Sequence, residues 1–236
     1  MPQAQMTSDE HRNFYGRIKG KALKPAQERD LAHLLPQLAL AGVSRTDNPV
    51  RTPLDTDAIA QGRDLCLEVG FGGGEHIVHQ AQLHPDRLFI GVEPYVNGMA
   101  MCLGKIRKSG VDNIRLHLGD ARDLMDVLPP ASISAGFLLY PDPWPKARHH
   151  RRRFVTPEHL VPLHRVLKPG AILRIATDIE DYVRQALVQV PKAGFDWTAQ
   201  CPDDWRKPWD DWISTRYEQK ALREGRVPHY LTFQRA

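Results

Sequence analysis

The stretch Asp64-Leu-Cys-Leu-Glu-Val-Gly-Phe-Gly-Gly-Gly-Glu-His76 decides the fold. Residues 64–69 form a short apolar run, and the chain then turns Gly-rich before a helical pattern (HIVHQAQL) begins. A strand that ends in glycines and opens a helix is the first half of a βαβ unit. The rhythm repeats downstream. Strands are predicted at 88–93, 114–118, 134–140 and 171–177, with helical patterns between them, and FDWTA is a possible sixth strand. Apolar runs, rather than alternating ones, point to a mostly parallel sheet covered by helices on both faces. The final HYLTFQR suits an antiparallel strand, and Lys168-Pro169-Gly170 a turn. Before residue 64, residues 1–27 read as a basic arm. Residues 28–63 read as a helix interrupted by Pro36, followed by a linker. The polar 201–228 reads as an insertion in the domain spanning 64–236.

Composition narrows the class. The chain has 236 residues, 42% apolar and 25% charged, an ordinary globular balance. No apolar run reaches the ~18 residues of a membrane span. Met1–Arg17 has no apolar stretch of the kind a secretory signal needs. Cys66, Cys102 and Cys201 are scattered, without Cys-x-x-Cys spacing, so neither a disulfide framework nor a zinc knuckle is indicated. A cytoplasmic monomer is the expectation. The formal charge is +4, yet five cations and no acid fall in 11–27 and again in 146–153. The remainder carries 22 basic against 28 acidic residues, a net −6. Local positive charge on an acidic body marks a surface for polyanions.

The glycines also choose a ligand. A dinucleotide fingerprint needs Gly-x-Gly-x-x-Gly, and counting from Gly70 the sixth place is Glu75. That disfavours an NAD enzyme. What stands is Glu68-x-Gly70-x-Gly72-x-Gly74, which resembles motif I of the class I S-adenosylmethionine (SAM) methyltransferases. Glu93 ends the second strand, 23 residues after Gly70, where an acid can accept both ribose hydroxyls of an adenosine. Asp120 ends the third strand. Three acids at the carboxyl ends of successive parallel strands would share one crevice. Asp142-Pro143-Trp144-Pro145 follows the fourth strand, and its prolines make a stiff turn that could hold Asp142 preoriented. Lys146–Arg153 adds five cations directly after it.

DPWPKARHHRRR resembles the signature of the bacterial tRNA (guanine-N7)-methyltransferases. NFYGRIKGKALKPAQ, LEVGFGGG, Thr177-Asp178 and Thr215-Arg216-Tyr217-Glu218 resemble further motifs of that family in the same order, over Phe14 to Arg235. Ala147 stands where a second Lys is common. The resemblance implies a class I methyltransferase (Rossmann-like) α/β fold with a seven-stranded sheet. It implies SAM as methyl donor and N7 of guanine 46 in the tRNA variable loop as acceptor. It assigns cofactor contacts to Glu68, Gly70, Gly72, Glu93, Asp120 and Asp142, and makes Asp142 the catalytic residue. Lys146, Asp178, Thr215, Arg216, Tyr217 and Glu218 would contact substrate. Arg148, His149, His150, Arg151, Arg152 and Arg153 would contact RNA; if all five cations of the run met phosphates, the salt slope would be about −3.5.

Plainer readings stand beside these. Asp178 could cap a helix, Arg216 and Glu218 could form a surface pair, and Tyr217 could be core. Tyr217, Trp144 and Trp205 are all candidates to stack on a base. Trp205, Trp209 and Trp212 have the spacing of one packed helix face. His76, His79 and His84, or His149-His150, lack the acids or cysteines that would complete a zinc site, so no metal is expected. Two rival functions remain: a methyltransferase for small molecules or proteins, and a non-catalytic RNA-binding relic of the fold.

Overall fold

The computed structural model describes residues 14–236. The start of the expected basic arm, residues 1–13 with Arg12, lies outside the described residues.

A helical rod opens the described chain: α1 (Pro25–Arg29), a π-helical turn (Asp30–Leu34) and α2 (Leu35–Leu38). Pro36 has no N–H to give to the preceding turn, so the rod widens there rather than breaking. After α3 (Thr56–Ala60) the sheet begins. It runs β1 (Asp64–Val69), α4 (Glu75–Leu83), β2 (Arg87–Val92), α5 (Val96–Ser109), β3 (Ile114–His117), α6 (Ala121–Val127) and β4 (Ile133–Leu139). A 3₁₀ turn (Ala147–Arg152) leads to α7 (Pro157–Val166), β5 (Leu167–Thr177), α8 (Glu180–Lys192) and β6 (Phe195–Trp197). The chain then runs through α9 (Asp203–Arg206) and α10 (Arg216–Arg223) to β7 (His229–Arg235).

The seven strands lie in the order β3-β2-β1-β4-β5-β7-β6. β1 to β5 are parallel, and β7 inserts antiparallel between β5 and β6. Order reverses at β1, which pairs with β2 on one side and β4 on the other. That reversal opens a crevice at the strands' carboxyl ends. The expected turn at Lys168–Gly170 lies inside β5 instead. There β5 advances five residues, Leu167 to Ile172, while β4 advances two, Ile133 to Ala135, and Gly170 takes φ +77° in the resulting bulge.

Two apolar layers sandwich the sheet. Leu65, Leu67 and Val69 face one, packed with α6, α7 and α8 residues. Cys66 faces the other, with α4 and α5 residues including Ile77 and Leu103. This alternation matters for the site, because consecutive residues of β1 point to opposite layers. Among the described residues no helix is long and apolar enough to cross a membrane.

Candidate functional site

A cavity of about 1080 Å³ opens at the point where strand order reverses. Its floor is the turn after β1. Gly70 and Gly72 adopt φ +71° and +54°, a left-handed backbone that side chains disfavour. Space is equally limiting. A Cβ on Gly98 of α5 would sit 2.6 Å from the Gly72 carbonyl oxygen, so the helix can approach the turn only without a side chain there.

Glu93 is buried and clamps that turn. Its Oε2 accepts from the Gly72 N–H at 2.6 Å and its Oε1 from the Tyr95 N–H at 2.9 Å. Burial pushes its carboxyl up to about 7, against the two N–H donors; the nearby Asp142 and Glu68 carboxylates add to the rise. Asp120 also lines the cavity. It caps α6 by accepting from the Arg122 N–H, and the Arg122 guanidinium holds its Oδ2 at 2.6 Å. Burial alone would raise this carboxyl, but Arg122 outweighs it and holds Asp120 below the usual carboxylate range. Arg122 in turn reaches Glu158 at 2.7 Å. Asp120 is thus a fixed wall whose charge is already shared.

Glu68 is placed elsewhere. It is buried and absent from the cavity lining, and its Oε2 meets His76 Nδ1 at 2.7 Å. The reason is strand parity: Val69 faces the crevice side, so Glu68 one residue earlier faces α4. In this structure Glu68 stands as a strut beneath the turn rather than on the cavity surface.

Asp142 lies at the cavity mouth, accessible to solvent but crowded on the protein side. That partial desolvation raises its carboxyl pKa, and Arg17 opposes the rise. Its turn is held from below by Arg153, which donates to Pro143 O at 2.7 Å and Gln185 Oε1 at 2.8 Å and pairs with Asp181 at 2.8 Å. Arg153 is 1% exposed, so the expectation of an RNA contact there is corrected: its charge is spent inside the protein. Arg152 is occupied differently. Its guanidinium stacks 4.6 Å from the Tyr15 ring centroid and 5.0 Å from that of Trp144. Lys146, Arg148 and Arg151 are exposed, with His149 and His150 partly so. His150 Nε2 lies 3.3 Å from Asp181.

Sequence reasoning missed the arm's part in the site. Phe14, Tyr15, Gly16 and Arg17 line the same cavity. The arm is pinned on the start of α5, where the Val96 N–H donates to Ile18 O at 2.9 Å and Asn97 bonds to both Gly20 N and Lys21 O. The one local signal was the aromatic pair before the basic residues. Phe154 and His159, their rings tilted with centroids 4.7 Å apart, line the wall near Asp120 and carried no signal at all.

The segment between β6 and β7 supplies the other side. Tyr217 is exposed and lies over Gly72, so close that a Cβ there would meet its Cε2 at 2.8 Å. Tyr217 is therefore cavity wall, not core. Thr215 caps α10 through its hydroxyl, which accepts from the Glu218 N–H at 3.3 Å. Arg216 pairs with Glu75 at the start of α4, Nε to Oε1 2.9 Å, rather than with Glu218. Glu218 is buried beneath α10 and does not line the cavity. Asp178 and Lys146 do not line it either. Asp178 pairs with Arg226, while the cap of α8 is Ile179 without a side-chain bond.

The three tryptophans do not share a helix face, because α9 ends at Arg206. Trp209 and Trp212 pack edge-on with each other and with Tyr230. Trp205 stacks on His229 at 5.5 Å, away from the cavity. Of the expected stacking candidates, Tyr217 and Trp144 face the cavity, joined by Tyr15. Among the described residues no His, Cys, Asp and Glu group converges as a metal site.

Comparisons with known proteins agree on the family. Residues 62–231 match a family model described as "Putative methyltransferase". The chain is 72% identical over 224 residues to the tRNA (guanine-N(7)-)-methyltransferase of Ruegeria sp. (strain TM1040), covering 95% of this chain and 88% of that protein. It is 70% identical to the protein of the same name from Ruegeria pomeroyi, covering 95% and 94%. The Agrobacterium fabrum relative, also so named, is 48% identical over 93% and 94%. Among solved structures, the 16S rRNA methyltransferase KamB superposes with a TM-score of 0.58 at 19% identity, over 78% of this chain and 94% of that one. A structure described as an antibiotic related methyltransferase gives 0.55 at 18%, over 83% and 98%. At such identities the structural likeness speaks for the fold, a class I methyltransferase sheet.

Proposed function

This chain belongs to the tRNA (guanine-N7)-methyltransferase family, and from that membership we propose that it methylates tRNA at N7 of guanine 46, with SAM as donor. The observation that carries the reading is one cavity holding two unlike ends. At one end Glu93, anchored by the Gly72 and Tyr95 N–H groups, faces the space above a glycine turn. At the other, Asp142 stands on a stiff turn beside a cationic rim.

The donor end fits SAM on the protein's own features. The anchored Glu93 carboxylate suits the ribose hydroxyl pair, and burial makes it a costly charge without such donors. The glycine turn lets backbone approach a ligand where side chains could not. Asp120 and the Phe154–His159 wall suit the adenine. When bound, SAM supplies an electrophilic methyl group whose transfer leaves positive charge on the acceptor.

Guanine N7 carries a lone pair and no proton, so the reaction needs no general base. The task for Asp142 is to orient the purine by accepting from its N1–H and N2–H₂ edge and to stabilise the developing purine cation. A carboxylate held on a stiff turn does both without reorganising during the reaction. Lys146, Arg148 and Arg151 on the rim would meet phosphates, which position RNA without specifying sequence. With Arg153 buried and Arg152 stacked, the expected salt slope falls from about −3.5 to about −2 for three single-strand phosphate contacts.

Methyl transfer from labelled SAM into unmodified tRNA tests the reading, with the product mapped by borohydride reduction and aniline cleavage. Cleavage at guanine 46 is expected. Label incorporated without cleavage places the methyl on another atom, and an absence of label refutes tRNA as the substrate.

A further inference from the structure

Glu218 combines three properties that a substrate-contacting acid does not share. It is 3% exposed, it is absent from the cavity lining, and its oxygens are already occupied. Trp212 Nε1 donates to both oxygens at 3.1 Å, the Tyr140 hydroxyl to Oε1 at 3.4 Å, and the Tyr230 hydroxyl to the same Oε1. Turning toward a substrate would leave three donors without acceptors inside the protein.

Its partners lead to both halves of the site. Tyr140 directly follows β4 and stands two residues before Asp142. Its backbone N–H is fixed to Ala176 O at 2.8 Å, and its φ is +50°. A left-handed aromatic residue is strained and persists only where its surroundings over-determine it. On the other side, Trp212 packs on the His76 ring at 5.4 Å, and His76 holds Glu68 under the glycine turn. From the same helix, Arg216 reaches Glu75 and Tyr217 covers Gly72.

We propose that Glu218 is a positioning residue, a latch that fixes Tyr140, and through it the Asp142 turn, in register with the donor end of the cavity. The proposal rests on the reading above only for the reaction used to measure it. In-line transfer needs acceptor and donor aligned closely, and a displacement of about 1 Å can cost a hundredfold in rate.

The test compares Tyr140→Phe with Tyr230→Phe. Each removes one hydroxyl from the same Glu218 oxygen, but only Tyr140 continues into the Asp142 turn. Y140F should lower kcat about tenfold or more, with SAM Kd and tRNA KM within about twofold of wild type. Y230F should keep kcat within about twofold while losing a similar share of stability. In 5-fluorotryptophan protein, the Trp144 ¹⁹F resonance, assigned with W144F, should shift or broaden in Y140F and hold still in Y230F. Equal kcat losses in the two variants, or none in either, would overturn the latch. So would a Glu218→Gln protein that raises tRNA KM at unchanged kcat, since that is the mark of direct substrate contact. If the wild type places no methyl on tRNA guanine N7, the functional reading fails by itself. The Trp144 resonance then decides the latch alone, unchanged in Y140F meaning no latch.

Discussion

Glu93→Gln should uncouple the ligand-free protein's stability from pH while weakening its grip on SAM. Burial raises the Glu93 carboxyl from about 4.5 in a free chain to about 7 in the folded protein. Between those values the native state holds a proton that the unfolded state has released. Through this group, stability therefore falls as pH rises from about 4.5 to about 7, and the loss is complete above that. The difference between the two values corresponds to roughly 3 kcal/mol. Gln carries no such dependence. It also loses one of the two backbone acceptors, at Gly72 N or Tyr95 N, a pH-independent cost of about 1–2 kcal/mol. The stability of E93Q minus that of wild type should thus climb by about 2–3 kcal/mol from pH 5 to pH 8, whatever its starting value. Urea denaturation of both proteins at unit pH steps measures this, and the other titrating groups cancel in the difference. Wild-type SAM affinity should weaken about tenfold per pH unit below about 7, because only the carboxylate accepts both ribose hydroxyls, and the E93Q affinity should be low and flat. A stability difference that does not change with pH would refute the description of Glu93 as a charge held out of water.

Asp142→Asn should cost at least about a hundredfold in kcat, with SAM Kd nearly unchanged, since the charge it removes acts on the acceptor purine and its developing cation; single-turnover kinetics with saturating SAM would show it, and near-full activity would remove Asp142 from the mechanism. Arg151→Ala should reduce the slope of log K against log salt by about 0.7 without loss of stability. Arg153→Ala should do the reverse, lowering the unfolding free energy measured in urea by about 2–4 kcal/mol because Pro143 O, Gln185 and Asp181 lose their shared donor. Gly72→Ala puts a methyl 2.8 Å from the Tyr217 ring at a φ of +54°, and calorimetric SAM binding should weaken by tenfold or more.

Features set by local spacing were legible in the sequence. The strand, glycine turn and helix of 64–83 appear where the apolar run and glycines place them, and β7 is antiparallel as its separation from the βαβ rhythm suggested. Glu93 and Asp120 reach the cavity because they end strands whose carboxyl edges form it. What was not legible depends on partners far along the chain. Strand parity turns Glu68 toward His76, and reading it as a crevice acid ignored the single-residue offset from Val69. Arg153 looked like one more surface cation of KARHHRRR, but Gln185 and Asp181, about thirty residues on, draw it inside. Glu218 belongs to a recognisable motif, yet nothing near it in sequence shows that Tyr140 would share its oxygens. Pro169-Gly170 looked like a turn, and only pairing with β4 and β7 converts it into a strand bulge.

The position of β7 has a consequence in time as well as space. Phe195–Trp197 is made before His229–Arg235 but lies outside it, paired with β7 alone. It has no strand neighbour but β7. The 31 residues between them, 198–228, are therefore drawn shut by the event that finishes the sheet. Those residues carry Trp212, Arg216, Tyr217 and Glu218. The glycine turn and Glu93 can be in place on the parallel strands beforehand, but the wall over Gly72 and the hold on Tyr140 arrive only with the last strand. Closing the sheet and closing the site therefore depend on the same strand, β7.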